Sequence, residues 1–263
     1  MAATHPVPGR TGRSPWTERP VLPVGVLVAA GGAWLALYLI DQWNGAGHRG
    51  HVHGGHSWSP GAGWSPSAAL AGWGLMVVAM MLPPALPLLR MLQRLAARHR
   101  TQHLLVASGA GAFIAVWMAV GVLFVAGEAL FSAVAAEAWR PAPQVLVGGV
   151  LVLAGAFQLS PLKRRCLTAC RSPRTFAVAH WHGERRPAVE AATIGVAYGA
   201  SCVGCCWALM AVCLAGGTAH LATMVPLAVV MAAERTTRTG LRLVRPTGVA
   251  AVLLGLVLLS TAS

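Results

Sequence analysis

Seven runs of apolar residues, separated by short basic blocks, divide this chain, and most are long enough to cross a lipid bilayer. A hydrocarbon core about 30 Å thick calls for about 20 apolar residues in a helix. The runs cover 21–40, 67–89, 104–126, 144–160, 188–214, 218–233 and 246–260, with the fourth and sixth the shortest. Charged residues make up only 10% of the chain, against about 25% in soluble domains, which excludes an ordinary soluble fold. No soluble-sized segment lies between the runs, so the expectation is a tail at 1–20 and a single all-α transmembrane bundle over 21–260. Arg10, Arg13 and Arg19 precede the first run as in a signal peptide. Its 20 residues, and the lack of an Ala-x-Ala site before Asp41, favour an uncleaved first helix.

The net charge of +13 would suit a nucleic-acid partner if it covered one solvated face. It does not. With the N-terminus placed in the cytoplasm, the cytoplasmic segments hold three basic residues before the first run, four in 90–103, seven in 161–187 and four in 234–245. Only Arg49 and Arg140 fall on the other side. This is the asymmetry that orients membrane proteins, and it predicts seven spans with an external C-terminus. The partner implied is the lipid bilayer, in a multi-pass plasma-membrane protein, and nucleic acid is excluded. The 44–66 segment becomes an external loop rich in His and Gly, and 161–187 a cytoplasmic basic loop. Small residues at Gly109 and Gly111, Gly148 and Gly149, and Gly195 and Gly199 mark helices able to approach closely in lipid.

The chemistry lies in the sulfurs. The fifth run carries Cys202, Cys205, Cys206, Met210 and Cys213. At about 100° per residue, Cys202, Cys206 and Cys213 share a sector of about 40°, Met210 lies about 40° beyond it, and Cys205 about 60° to the other side of Cys202. Single cysteines in membrane helices usually serve packing, but four on one stripe with a methionine point to a soft metal. Thiolate and thioether donors select Cu(I) above all, with zinc the harder competitor. The second run holds Met76 and Met80 one turn apart, Met81 beside them, and then Pro83, Pro84 and Pro87. Prolines inside a membrane helix free backbone carbonyls, which is tolerated against protein or a polar cavity. These methionines and the cysteines sit at depths that allow contact.

Two further clusters flank this core. His48, His51, His53 and His56 fall within nine residues of the external loop, a density able to chelate Cu(II), Zn(II) or Ni(II), or merely to be solvated. Cys166 and Cys170 follow the fourth run at i and i+4, flanked by Lys163, Arg164, Arg165 and Arg171. Neighbouring cations favour thiolate, so the pair reads as a reactive dithiol or the inner end of a metal path. The same cations also suit anionic head groups and topology. Glu190 and Glu234 sit near run ends, where charge is cheap, and Glu128 lies close to the outer end of the third run. No Gly-Lys-Ser/Thr phosphate loop is present, so ATP coupling within this chain is not expected, and no catalytic residue set stands out.

Three stretches together, Trp73–Arg90, Gln158–Pro173 and Gly199–Met210 with Glu234 beyond, resemble a bacterial family described as predicted metal-binding integral membrane proteins, a family of unknown function. The resemblance covers about 70–255. It implies a membrane fold of the bacterial inner membrane and candidate ligands at Met76, Met80, Met81, Cys166, Cys170, Cys202, Cys205 and Cys206. Phe157 and Ser160 stand where the family pattern has Tyr and Thr, a mild departure that touches no ligand. The histidine loop and the first run fall outside it.

The leading expectation is a protein that binds a soft transition metal, Cu(I) first and zinc second, between the second and fifth runs and takes part in handling it or passing it across the membrane, with other membrane or metal-carrier proteins as partners. Two other readings stand beside it. One is a thiol–disulfide electron carrier using Cys202 with Cys205 and Cys166 with Cys170. The other is a non-catalytic bundle that assembles a membrane complex, its cysteines serving as packing.

Overall fold

The computed structural model describes residues 21–47, 65–134, 143–181, 186–215 and 221–261. The tail at 1–20, the histidines at 48, 51, 53 and 56 and the side chain of Glu128 lie outside the described residues. Those described fold entirely into helices joined by short turns: α1 Val21–Gly47, α2 Pro66–Leu95, α3 Gln102–Val134, α4 Pro143–Gln158, α5 Pro161–Arg171, α6 Pro173–His180, α7 Pro187–Ala215, α8 Leu221–Thr236 and α9 Gly240–Ser260.

Among the described residues, five helical stretches are long and apolar enough to cross a membrane: Leu22–Trp43, Pro66–Arg98, Gln102–Gly127, Pro187–Ala215 and Gly240–Ser260. A sixth arises if α4 and α5 count together across a 68° bend. The difference from the seven expected falls on the two shortest runs, since α4 and α8 have 16 residues each and span about 24 Å at 1.5 Å per residue. Outward faces of the terminal helices are apolar, with Leu27, Val28 and Leu35 of α1 and Leu253, Leu254 and Val257 of α9 exposed, a surface compatible with lipid.

By packing, the long helices follow one another in the order α1, α2, α3, α7, α4, α9, and α5, α6 and α8 pack around α7 and α2. Glycines make the closest seams. On the α4–α9 seam, Gly148 faces Gly255 and Gly155 faces Gly248, seven residues apart on both helices. A Cβ at Gly155 would stand 2.6 Å from the Gly248 carbonyl and 2.8 Å from the Val252 nitrogen, so the backbones themselves would have to part. On the α3–α7 seam, Gly195 lies against the Gly109 carbonyl and Gly109 beside that of Ala191. Of the expected pairs, Gly111 and Gly149 face open space instead. We expect Gly155→Val to lower stability by about 1–3 kcal/mol, the usual cost of forcing extra methyl groups into a packed seam. Gly149→Val should change it little. Thermal unfolding of both variants in detergent checks the contrast.

The segment read as the basic loop 161–187 is instead mostly helix. α4 stops at Gln158 because Pro161 cannot continue its hydrogen bonding and disfavours helical geometry before it. Ser160 then caps α5, its Oγ accepting from the Lys163 amide at 3.2 Å. Lys163, Leu167 and Cys170, at i, i+4 and i+7, form the buried stripe of α5, while Arg164 and Arg165 face outward. This short helix, turned 68° from α4, lies on α7.

Candidate metal centre

α7 buries Tyr198, Cys202, Cys205, Cys206, Met210 and Cys213 along one side. The Sγ atoms of Cys202, Cys205 and Cys206 all lie within 4.8 Å of one another, with Cys205 and Cys206 3.2 Å apart. Cys205 also donates to the Cys202 carbonyl at 3.1 Å. Cys213 lies two turns, or about 10 Å, further along the helix from Cys206 and stands outside this group.

Other helices bring sulfur to the same place. The Cys202 thiol lies 4.0 Å from Met81 Sδ of α2, and Cys205 Sγ lies 3.8 Å from Cys170 Sγ of α5. Met76 and Met80 are buried in the same core, but the contact with the cysteines is made by Met81. Cys166, half-buried, rests on Gly204 of α7. Cys170 therefore touches the central cluster, with Cys166 one turn before it on α5.

Three charged residues surround the cluster, each expected elsewhere from the sequence pattern. Arg235 of α8 is buried, with Nη1 3.2 Å from Cys202 Sγ and 4.0 Å from Met81 Sδ and Nη2 3.2 Å from the Tyr198 hydroxyl. Tyr198 in turn donates to the Cys170 carbonyl at 2.9 Å. Glu234, expected near an interface, is instead fully buried and pairs with Lys163 Nζ at 2.7 Å, where both side chains are at most 1% exposed. Lys163 also donates to the Cys205 carbonyl at 2.6 Å. Gln158 and Thr247 donate to the other Glu234 oxygen, and Arg171 donates to the Glu234 carbonyl.

This pattern makes physical sense. A buried carboxylate and ammonium are tolerated because they pair and fill their remaining hydrogen bonds. Arg235 has no carboxylate within salt-bridge distance among the described residues. Its neighbours are sulfur and phenol oxygen, and a buried guanidinium of this kind calls for an anion. The acceptor it faces here is the sulfur of Cys202.

A family model, PpoB2, described as a copper chaperone, matches residues 70–258. The chain belongs to this copper chaperone family. The match takes in every residue of the cluster, from Met81 to Arg235, and leaves out the whole of α1 and the histidine loop. For a member of the copper chaperone family, a buried three-cysteine group is a fitting donor set, since soft sulfur prefers Cu(I). No curated protein and no solved structure matches the chain.

Proposed function

We propose that the chain is a multi-pass membrane protein that holds Cu(I) on Cys202, Cys205 and Cys206 and passes it on within or across the membrane. The carrying observation is the convergence of three buried thiols within 4.8 Å of one another. Cu(I) suits a low-coordinate, all-sulfur setting, whereas structural zinc sites take four ligands from thiolate, imidazole and carboxylate. The thioether of Met81 beside Cys202 adds to the case for copper, because a thioether is a soft donor.

The residues divide the work. Each cysteine that binds the cargo gives up its proton, so negative charge gathers at the cluster as copper arrives. Arg235 faces that charge from 3.2 Å and donates to Cys202, holding its sulfur in place. Tyr198 holds Arg235, and Lys163 anchors the α7 backbone at Cys205. Burial of the whole group keeps water and oxygen-donor competitors away.

The basic blocks support placing the N-terminus and the 161–187 and 234–245 segments on the cytoplasmic side of a bacterial plasma membrane. External histidines at 48, 51, 53 and 56 would then capture metal on the opposite face.

Copper analysis of the purified chain beside its Cys202→Ser/Cys205→Ser/Cys206→Ser variant tests the reading; equal copper in both overturns it. Arg235→Met is expected to weaken Cu(I) affinity by about 10–100-fold at unchanged stoichiometry, the usual effect of removing a group that orients a ligand. Competition against a chromogenic Cu(I) chelator measures it, and Arg235→Lys should lie between the two.

One contact favours thiol–disulfide exchange as a second reading: Cys170 and Cys205 approach to 3.8 Å from different helices. A mixed disulfide with a partner, trapped in a Cys170→Ala chain, would favour it over copper handling.

A further inference from the structure

Exposure falls stepwise through the sulfurs. Cys166 is half-buried, Cys170 is 4% exposed, and Cys205 and Cys202 are at or below 1%. The first two share one face of α5, and both press on α7, Cys166 on Gly204 and Cys170 on Cys205. Gly204 creates the room: a Cβ there would stand 2.6 Å from Cys166 Sγ. The sequence neighbour of the deepest thiols is thus shaped to receive the shallowest one.

From this gradient we infer that Cys166 is the loading ligand, which takes Cu(I) from a sulfur-ligated donor at the surface and passes it through Cys170 to Cys205 and its neighbours. The inference rests on the copper reading above and gives its cargo a route. Each step is ligand exchange with copper at +1 throughout. Cys166 loses its proton and bonds to Cu(I) as one donor ligand departs and takes up a proton. Cys170 then loses its proton and bonds as the second donor ligand departs with a proton; Cys205 bonds as the Cu–Cys166 bond breaks and Cys166 is reprotonated, and a neighbouring thiol of the group bonds as Cys170 is released and reprotonated. No electron is transferred, and no oxidant is needed.

The test uses the full-length chain in detergent, with a Cu(I)–chelator complex of distinct colour as donor, and reads equilibrium affinity and loading rate separately. Cys166→Ala is expected to keep affinity within about threefold, while loading slows at least tenfold. Gly204→Ala, which retains all six cysteines but pushes Cys166 Sγ aside, should slow loading similarly. Alkylation with a small thiol reagent should modify Cys166 before any other cysteine, and prior alkylation should block loading. Unchanged loading in both variants overturns the route while leaving the copper site standing. Failure of the unaltered chain to bind Cu(I) at equilibrium overturns the copper reading itself. A variant that loses both affinity and its unaltered thermal midpoint would show Cys166 to be a structural contact, which also overturns the route.

Discussion

Changing Cys202, Cys205 and Cys206 together to serine is expected to lower Cu(I) affinity by at least about a thousandfold, or ~4 kcal/mol. Serine keeps nearly the same shape but replaces a soft anionic donor with a hard hydroxyl that does not ionise at neutral pH. Little else in the cluster can make up the loss, because Met81 offers a neutral thioether and Cys170 adds a single thiol, 3.8 Å from Cys205. Cys213→Ser is the informative companion. That thiol belongs to the same stripe in sequence but lies outside the three-thiol group, so its loss should change affinity by less than about threefold. An equal loss in both variants would mean that the stripe and not the group binds the cargo. Chelator competition on the two purified proteins gives the answer.

The second large effect concerns stability. Lys163→Met should cost about 3–5 kcal/mol, because it leaves the Glu234 carboxylate buried with no cation against it. Glu234→Gln should cost a similar amount by stranding the ammonium. Replacing both with methionine should restore at least half of either loss, since a matched apolar pair can be close to neutral where a lone buried charge is not. The recovery is incomplete because the Cys205 carbonyl loses its donor and Gln158 and Thr247 lose an acceptor. The thermal midpoint in detergent of the two single variants and the double variant checks this. Single variants within about 1 kcal/mol of the parent would mean that water reaches the pair.

The sulfur stripe was legible because helical periodicity alone lines up Cys202, Cys206 and Cys213. Spacing carried no information on the turn of α7 at which other helices would meet it. Met81 and Cys170 choose the upstream end, and Cys213 is left aside. The sequence offered Met81 and Cys170 as candidates, each in its own run or segment, and the fold brings them to the cysteines. The charged partners were hidden for a different reason. In a chain where nearly all cations sit in basic blocks between apolar runs, Lys163 and Arg235 look like two more topology signals. A faint cue existed for Lys163, which falls on the one apolar stripe of α5 with Leu167 and Cys170. For Arg235 the helix boundary decided the matter. The sixth run was expected to end at 233, but α8 continues to Thr236 and carries Glu234 and Arg235 into the packed interior. The same element accounts for part of the shorter span count, because 16 residues with Pro226 among them suit a helix packed in the core as well as one crossing a bilayer.

The guanidinium that faces the thiols comes from position 235, long after the cysteines in chain order. During synthesis from the N-terminus, a growing chain therefore carries all three thiols before it carries their counter-charge, and Met81 Sδ waits across 154 residues for the arginine that will sit beside it. Contacts of such long sequence separation form late. A truncated or half-inserted chain has the three thiols without their counter-charge, so on the copper reading proposed above it would hold the metal more weakly than the finished bundle. Full affinity would then mark a chain that has completed its assembly.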